Sequence, residues 1–165
     1  MANLLFQCGL LAKPHVVETS GLNLTAEFVG QTKKKVEDEL NRALGGVLFI
    51  DEAYEMGKGK FGVEACSALV AAMTNPKYKG LAIVIAGYQA DIQSMLDTNP
   101  GLKSRFSHFF EFPDWMVEDC IHLFEHKAKE ADYEFEDWNL AKTTLDGGFK
   151  KLMKLKGWGN ARDVV

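Results

Sequence analysis

Gly45-Gly46-Val47-Leu48-Phe49-Ile50-Asp51-Glu52-Ala53-Tyr54 is the stretch that decides the fold. Val47 to Ile50 is an uninterrupted apolar run with β-branched residues at both ends. Such a run fits a strand buried on both faces. Asp51 and Glu52 close it. A buried parallel strand that ends in acids carries them to the carboxyl edge of a sheet, where α/β proteins bind ligands. A strand followed by a plain acidic turn would show the same residues with no chemistry attached.

The totals set bounds on the rest. At 165 residues the chain suits one domain, or one domain with a small appendage. Hydrophobic residues make up 47%, enough for a substantial core. The net charge of −4 offers no basic field for nucleic acid. Cys8, Cys66 and Cys120 are odd in number and too scattered for a disulfide framework or a metal motif. That usage favours the cytoplasm or another reducing intracellular compartment. No apolar stretch is long enough to span a membrane. The short apolar start lacks the basic flank of a secretory leader.

Outward from the central stretch, strand and helix signals alternate. Residues 1–11 read as the back half of a helix, and 15–18 as a short strand. Thr32 is placed to cap a helix running to about Leu44, with Val36, Leu40 and Leu44 on its buried face. Lys33, Lys34 and Lys35 belong to its wet side. Residues 57–62, Gly-Lys-Gly-Lys-Phe-Gly, read as a mobile loop, with a helix from 64 to 73 after it. Residues 81–86 form a second fully buried strand, 90–96 a helix and 108–112 a further short strand. The alternation predicts a parallel sheet with helices on both faces. From Trp115 onward the signals are helical, over 115–131 and about 138–155. Gly147-Gly148 weakens or breaks the second of these, and Asn160 caps a last helix. The expected organisation is an α/β core over 1–114 and a small all-helical subdomain over 115–165.

In order, the chain carries a Phe-Val-Gly loop, the Asp-Glu-Ala-Tyr strand end, Ile-Val-Ile-Ala-Gly-Tyr, Asn-Pro-Gly-Leu-Lys-Ser-Arg-Phe, Phe-Glu-Phe-Pro-Asp and Gly-Asn-Ala-Arg. This set resembles the AAA+ ATPases, and within them the group of stage V sporulation protein K and the red-type rubisco activases. The resemblance runs from about Leu4 to Val165. It implies a P-loop-type parallel sheet followed by a helical lid. It also implies ATP and Mg²⁺ as cofactors, hexameric AAA+ neighbours as partners, and a protein as substrate. Asp51 would hold Mg²⁺ and Glu52 would activate water, the Walker B arrangement. Arg105 would be an arginine finger reaching a neighbouring subunit's nucleotide, a task suited to a permanently charged guanidinium. Tyr88 or Gln89 falls near the sensor-1 position and Arg162 at the sensor-2 position. Phe28, with Val29 and Gly30, matches the pore loop that grips a threaded peptide.

The sequence departs from the family in one respect. G-x-x-x-x-G-K-[ST], the motif whose backbone amides and lysine cradle phosphates, does not occur in the 165 residues. The strand that carries it in the family would lie between strands 81–86 and 108–112, so both are expected to show open apolar edges. Helices cut at both ends read as a fragment of a longer motor that binds ATP weakly by itself. A catalytically inactive AAA-like scaffold is the alternative. A DExx-type helicase is a third reading, disfavoured by the pI of about 5.6 and by the absence of a Ser-Ala-Thr segment.

Overall fold

Strand β2, Val47–Asp51, lies at the centre of a parallel sheet between β1, Val16–Ser20, and β3, Ala82–Ile85. The computed structural model describes residues 1–26 and 30–165. Register sets Ser20 beside Asp51 and Ile50 beside Ile85, so all three strands end together. Apolar residues on both faces of β2 call for cover on both sides, and each face has it. Leu48 and Ile50, fully buried, pack with Val36 and Leu40 of α2 (Gln31–Arg42) and Leu69 of α3 (Gly59–Met73). Leu96 of α4 (Gln89–Thr98) and Leu102 of α5 (Pro100–Lys103) complete that core. On the opposite face Val47 packs with Ala2 of α1 (Ala2–Gln7) and with Leu11. Each fully buried Leu or Ile contributes about 1.5–3 kcal/mol of apolar transfer.

Contacts divide the chain into two compact units, residues 1–109 and 110–165. The second is built from α6 (Val117–Glu130), α7 (Trp138–Leu152) and α8 (Ala161–Val164). Cys120, Ile121 and Phe149 are its buried centre, with Trp115, Phe124, Trp138 and Trp158 packed around them. Phe135 and Trp138 meet at 4.9 Å between ring centroids. No helix among the described residues is long and apolar enough to cross a membrane.

The structure corrects several local expectations. Thr32 does not cap α2: Gly30 occupies that position, at φ 83°. Thr32 lies inside the first turn, fully buried, and its hydroxyl accepts a bond from the Ala26 amide at 3.2 Å. Residues 57–62 are not a loop. A 3₁₀ turn over Ala53–Gly57 leads almost directly into α3, which begins five residues earlier than the apolar spacing suggests. Gly59 turns the chain at φ 67°, and Gly62 lets the helix press against the Met56 carbonyl, where a Cβ would collide. β3 is half-buried rather than fully buried, and no strand pairs with its second edge among the described residues. Residues 108–112 form no strand. An isolated extended segment has no ladder to satisfy its amides, and Phe109, Phe110 and Phe112 are exposed there. Gly147-Gly148 does not interrupt α7, because Leu145 and Phe149 are anchored in the helical core on either side. Asn160 precedes α8, but its side chain does not cap it. Its Oδ1 accepts instead from the Trp115 amide at 2.9 Å and the Trp158 indole at 3.2 Å, while its amide donates to Asp114 at 3.0 Å.

Candidate functional site

The shared end of the three strands gathers Ser20-Gly21, Asp51-Glu52 and Ala86-Gly87 into one edge. Backbone hydrogen bonds fasten it. The Gly21 amide donates to the Asp51 carbonyl at 2.8 Å, and the Ala53 amide to the Ala86 carbonyl at 2.9 Å. Gly21 is buried so closely against β2 that a Cβ there would lie 2.5 Å from the Glu52 carbonyl oxygen.

Asp51 ends β2 and is exposed. Its Oδ1 accepts the Glu52 amide at 2.9 Å, which orients the carboxylate at the strand tip. Glu52, also exposed, takes the left-handed conformation, φ 46° and ψ 41°. A non-glycine residue there costs about 1–3 kcal/mol and persists only where its surroundings impose it. The chain reverses at that residue, and Tyr54 comes back beside it. The Tyr54 hydroxyl donates to Glu52 Oε1 at 3.4 Å. Its ring faces Tyr88 at 6.3 Å between centroids and lies under Lys58 Nζ at 5.1 Å. Partial burial raises the Tyr54 pKa above its ordinary value, and the negative charges of Glu52 and Glu55 raise it further.

A single exposed carboxylate, completed by waters and phosphate oxygens, is how proteins commonly hold Mg²⁺. Asp51 fits that ion. No three His, Cys, Asp or Glu side chains among the described residues are grouped to hold a metal by themselves. Within the glycine-rich segment 57–62, Gly57 ends the 3₁₀ turn and Gly59 to Gly62 open α3, and the 165 residues hold no G-x-x-x-x-G-K-[ST] whose amides and lysine would cradle phosphate. The residues present therefore suit the metal and the water, and not the phosphate chain.

The other sequence-predicted residues are distributed unevenly. Tyr88, 74% exposed, precedes α4 directly beyond the sheet edge, and Gln89 is the first residue of that helix. Tyr88 borders the Tyr54 ring and so stands near the acids. Arg105 does not. It follows α5 and lines a cavity of about 340 Å³ with Tyr78, Leu81 and Ile83, near the opposite end of β3. Its guanidinium donates to the Gly101 carbonyl at 2.8 Å. Arg162 is exposed in the first turn of α8, in the second unit. Phe28 and Val29 lie outside the described residues, and Gly30 is the N-cap of α2. Sequence reasoning passed over Tyr54 and Gly21. The Tyr54 hydroxyl was visible only as the tail of the acidic motif, and the close approach of Gly21 has no local sequence signal.

Residues 2–114 match the family described as ATPase family associated with various cellular activities (AAA). The chain is 34% identical to stage V sporulation protein K of Bacillus subtilis (strain 168) over 146 residues, covering 85% of this chain and 45% of that protein. It is 38% identical to ESX-1 secretion system protein EccA1 of Mycolicibacterium smegmatis over 152 residues, 88% of this chain and 26% of the relative. Protein CfxQ homolog of Trieres chinensis is 32% identical over 168 residues, 99% of this chain and 57% of the relative. The chain spans between 26% and 57% of the length of these relatives. With a matched region covering the whole parallel-sheet unit and the acids at its edge, the chain belongs to the AAA family of ATPases.

Proposed function

We propose that these residues form the metal- and water-handling part of an ATP-hydrolysing site in a protein-remodelling AAA ATPase. The observation that carries the reading is Asp51 at the tip of the central parallel strand, followed by Glu52 in an imposed left-handed conformation. Asp51 would hold Mg²⁺, which supplies charge neutralisation at the phosphates when bound. Glu52 accepts a proton from, or orients, the attacking water. Tyr88 and Gln89 stand at the same edge, where a polar side chain can read the terminal phosphate. Arg105 is supplied to a neighbouring subunit, since its place near the start of β3 sets it apart from this chain's own acids. Arg162 adds a cation from the helical unit. Phe28, Val29 and Gly30 grip the protein substrate in a ring of like subunits.

No Walker A motif occurs in these 165 residues, which favours weak nucleotide binding by this chain alone. Titration with a fluorescent ATP analogue and Mg²⁺ tests the reading. The expected result is weak binding that Asp51→Asn together with Arg162→Ala abolishes. Binding that survives in the double variant would place the nucleotide elsewhere and overturn the proposal. Tight saturable binding lost in the variant would show that the acids and the lid need no phosphate cradle.

A further inference from the structure

We propose that Tyr54 is a positioning residue that fixes the carboxylate of Glu52. Its functional meaning rests on the reading of Glu52 given above; the contact itself does not. Glu52 is an exposed glutamate, and an exposed glutamate ordinarily samples many rotamers. Its backbone is already pinned on both flanks, by Gly21 against its carbonyl and by the Ala53 amide on Ala86. Only its side chain is left to set.

Tyr54 is built to set it. Its ring lies close over Gly87, where a Cβ would lie 2.8 Å from Tyr54 Cδ1, so the residue after β3 must be small to admit the ring in this place. Lys58 lies over the ring and is itself held by Glu55 at 2.7 Å. Tyr88 borders the ring at 6.3 Å. A ring confined in this way has its hydroxyl at the Glu52 carboxylate. At 3.4 Å the contact is looser than a hydroxyl–carboxylate bond at its optimum. The phenol is protonated through the physiological range at its ordinary pKa, and partial burial with Glu52 and Glu55 nearby raises that pKa further. The arrangement also joins Glu52 to Tyr88 through the Tyr54 ring, so the residue after β3 and the acid after β2 share one support.

The test is nuclear magnetic resonance on the full ¹³C-labelled chain without nucleotide. The readouts are the Glu52 Cδ resonance and its side-chain three-bond couplings. In the wild type the couplings should report one dominant rotamer. Tyr54→Phe keeps the ring and removes the donor. It is expected to displace the Cδ resonance and average the couplings, with the core methyl spectrum unchanged. Lys58→Ala loosens the ring without touching the hydroxyl and should reduce rotamer order to a smaller extent, so the test stands even where Tyr54→Phe does not fold. Couplings and resonance unchanged in the folded variants would overturn the proposal. Failure of the ATPase reading would appear separately, as nucleotide binding independent of Asp51.

Discussion

Replacing Gly21 by alanine should prise apart the edge that carries the acids. The added Cβ would lie 2.5 Å from the Glu52 carbonyl oxygen and 3.1 Å from Ala53 Cα. Both are backbone atoms, so no side chain can rotate out of the way. Overpacking of a well-packed site costs about 1–3 kcal/mol. Relief by separating β1 from β2 would also break the Gly21–Asp51 backbone bond of 2.8 Å, worth about 1 kcal/mol. Together these give a loss of about 2–4 kcal/mol for the unit over residues 1–109. For a unit near a hundred residues, each kcal/mol moves the midpoint by about 4 °C or more, so the shift is at least about 8–16 °C. Scanning calorimetry of the whole chain reads it directly. A Gly21→Ala protein as stable as the wild type would refute the reasoning, because it would mean that β1 and β2 are not fastened as described.

Gly147→Ala, in the middle of α7 with open space around the position, should stabilise the helical unit by about 0.5–1 kcal/mol in a denaturant titration. Leu48→Ala, at 0% exposure, should cost about 3–5 kcal/mol by the same assay. Alkylation at pH 8 followed by mass spectrometry should mark exposed Cys8 and spare Cys66 and Cys120 in the folded chain. Burial pushes the Cys66 thiol up to about 11 from 9.0. A thiol whose pKa is higher folded than unfolded contributes stability that is complete below the unfolded value and fades as pH rises through the folded one. The chain should therefore lose stability between about pH 9 and 11, and Cys66→Ala should flatten that slope.

The central strand was legible because four apolar residues followed by two acids admit few other placements in a folded chain. The parallel order followed from strand–helix alternation, and the family from ordered motifs along nearly the whole chain. What escaped the sequence was decided by contacts between distant residues. The start of α3 depends on Gly62 meeting the Met56 carbonyl, which no local pattern announces. Residues 108–112 have strand-like composition, yet a strand exists only where a neighbour completes its ladder. In α7 two glycines argued for a break, and the anchoring of Leu145 and Phe149 outweighed a propensity cost of about 1 kcal/mol each. At the site, the residue types of Asp51 and Glu52 were plain from sequence. The left-handed turn at Glu52 and the return of Tyr54 were not, because both depend on the packing of Gly21 and Gly87.

The most direct test of the account is paramagnetic broadening of backbone amide signals by Mn²⁺, substituted for Mg²⁺, in the presence of ATP. The method registers weak, fast exchange, so it does not require tight binding. The account predicts broadening centred on Ser20, Gly21, Asp51, Glu52 and Gly87, lost in Asp51→Asn. Broadening centred on other residues, or unchanged in Asp51→Asn, would contradict it.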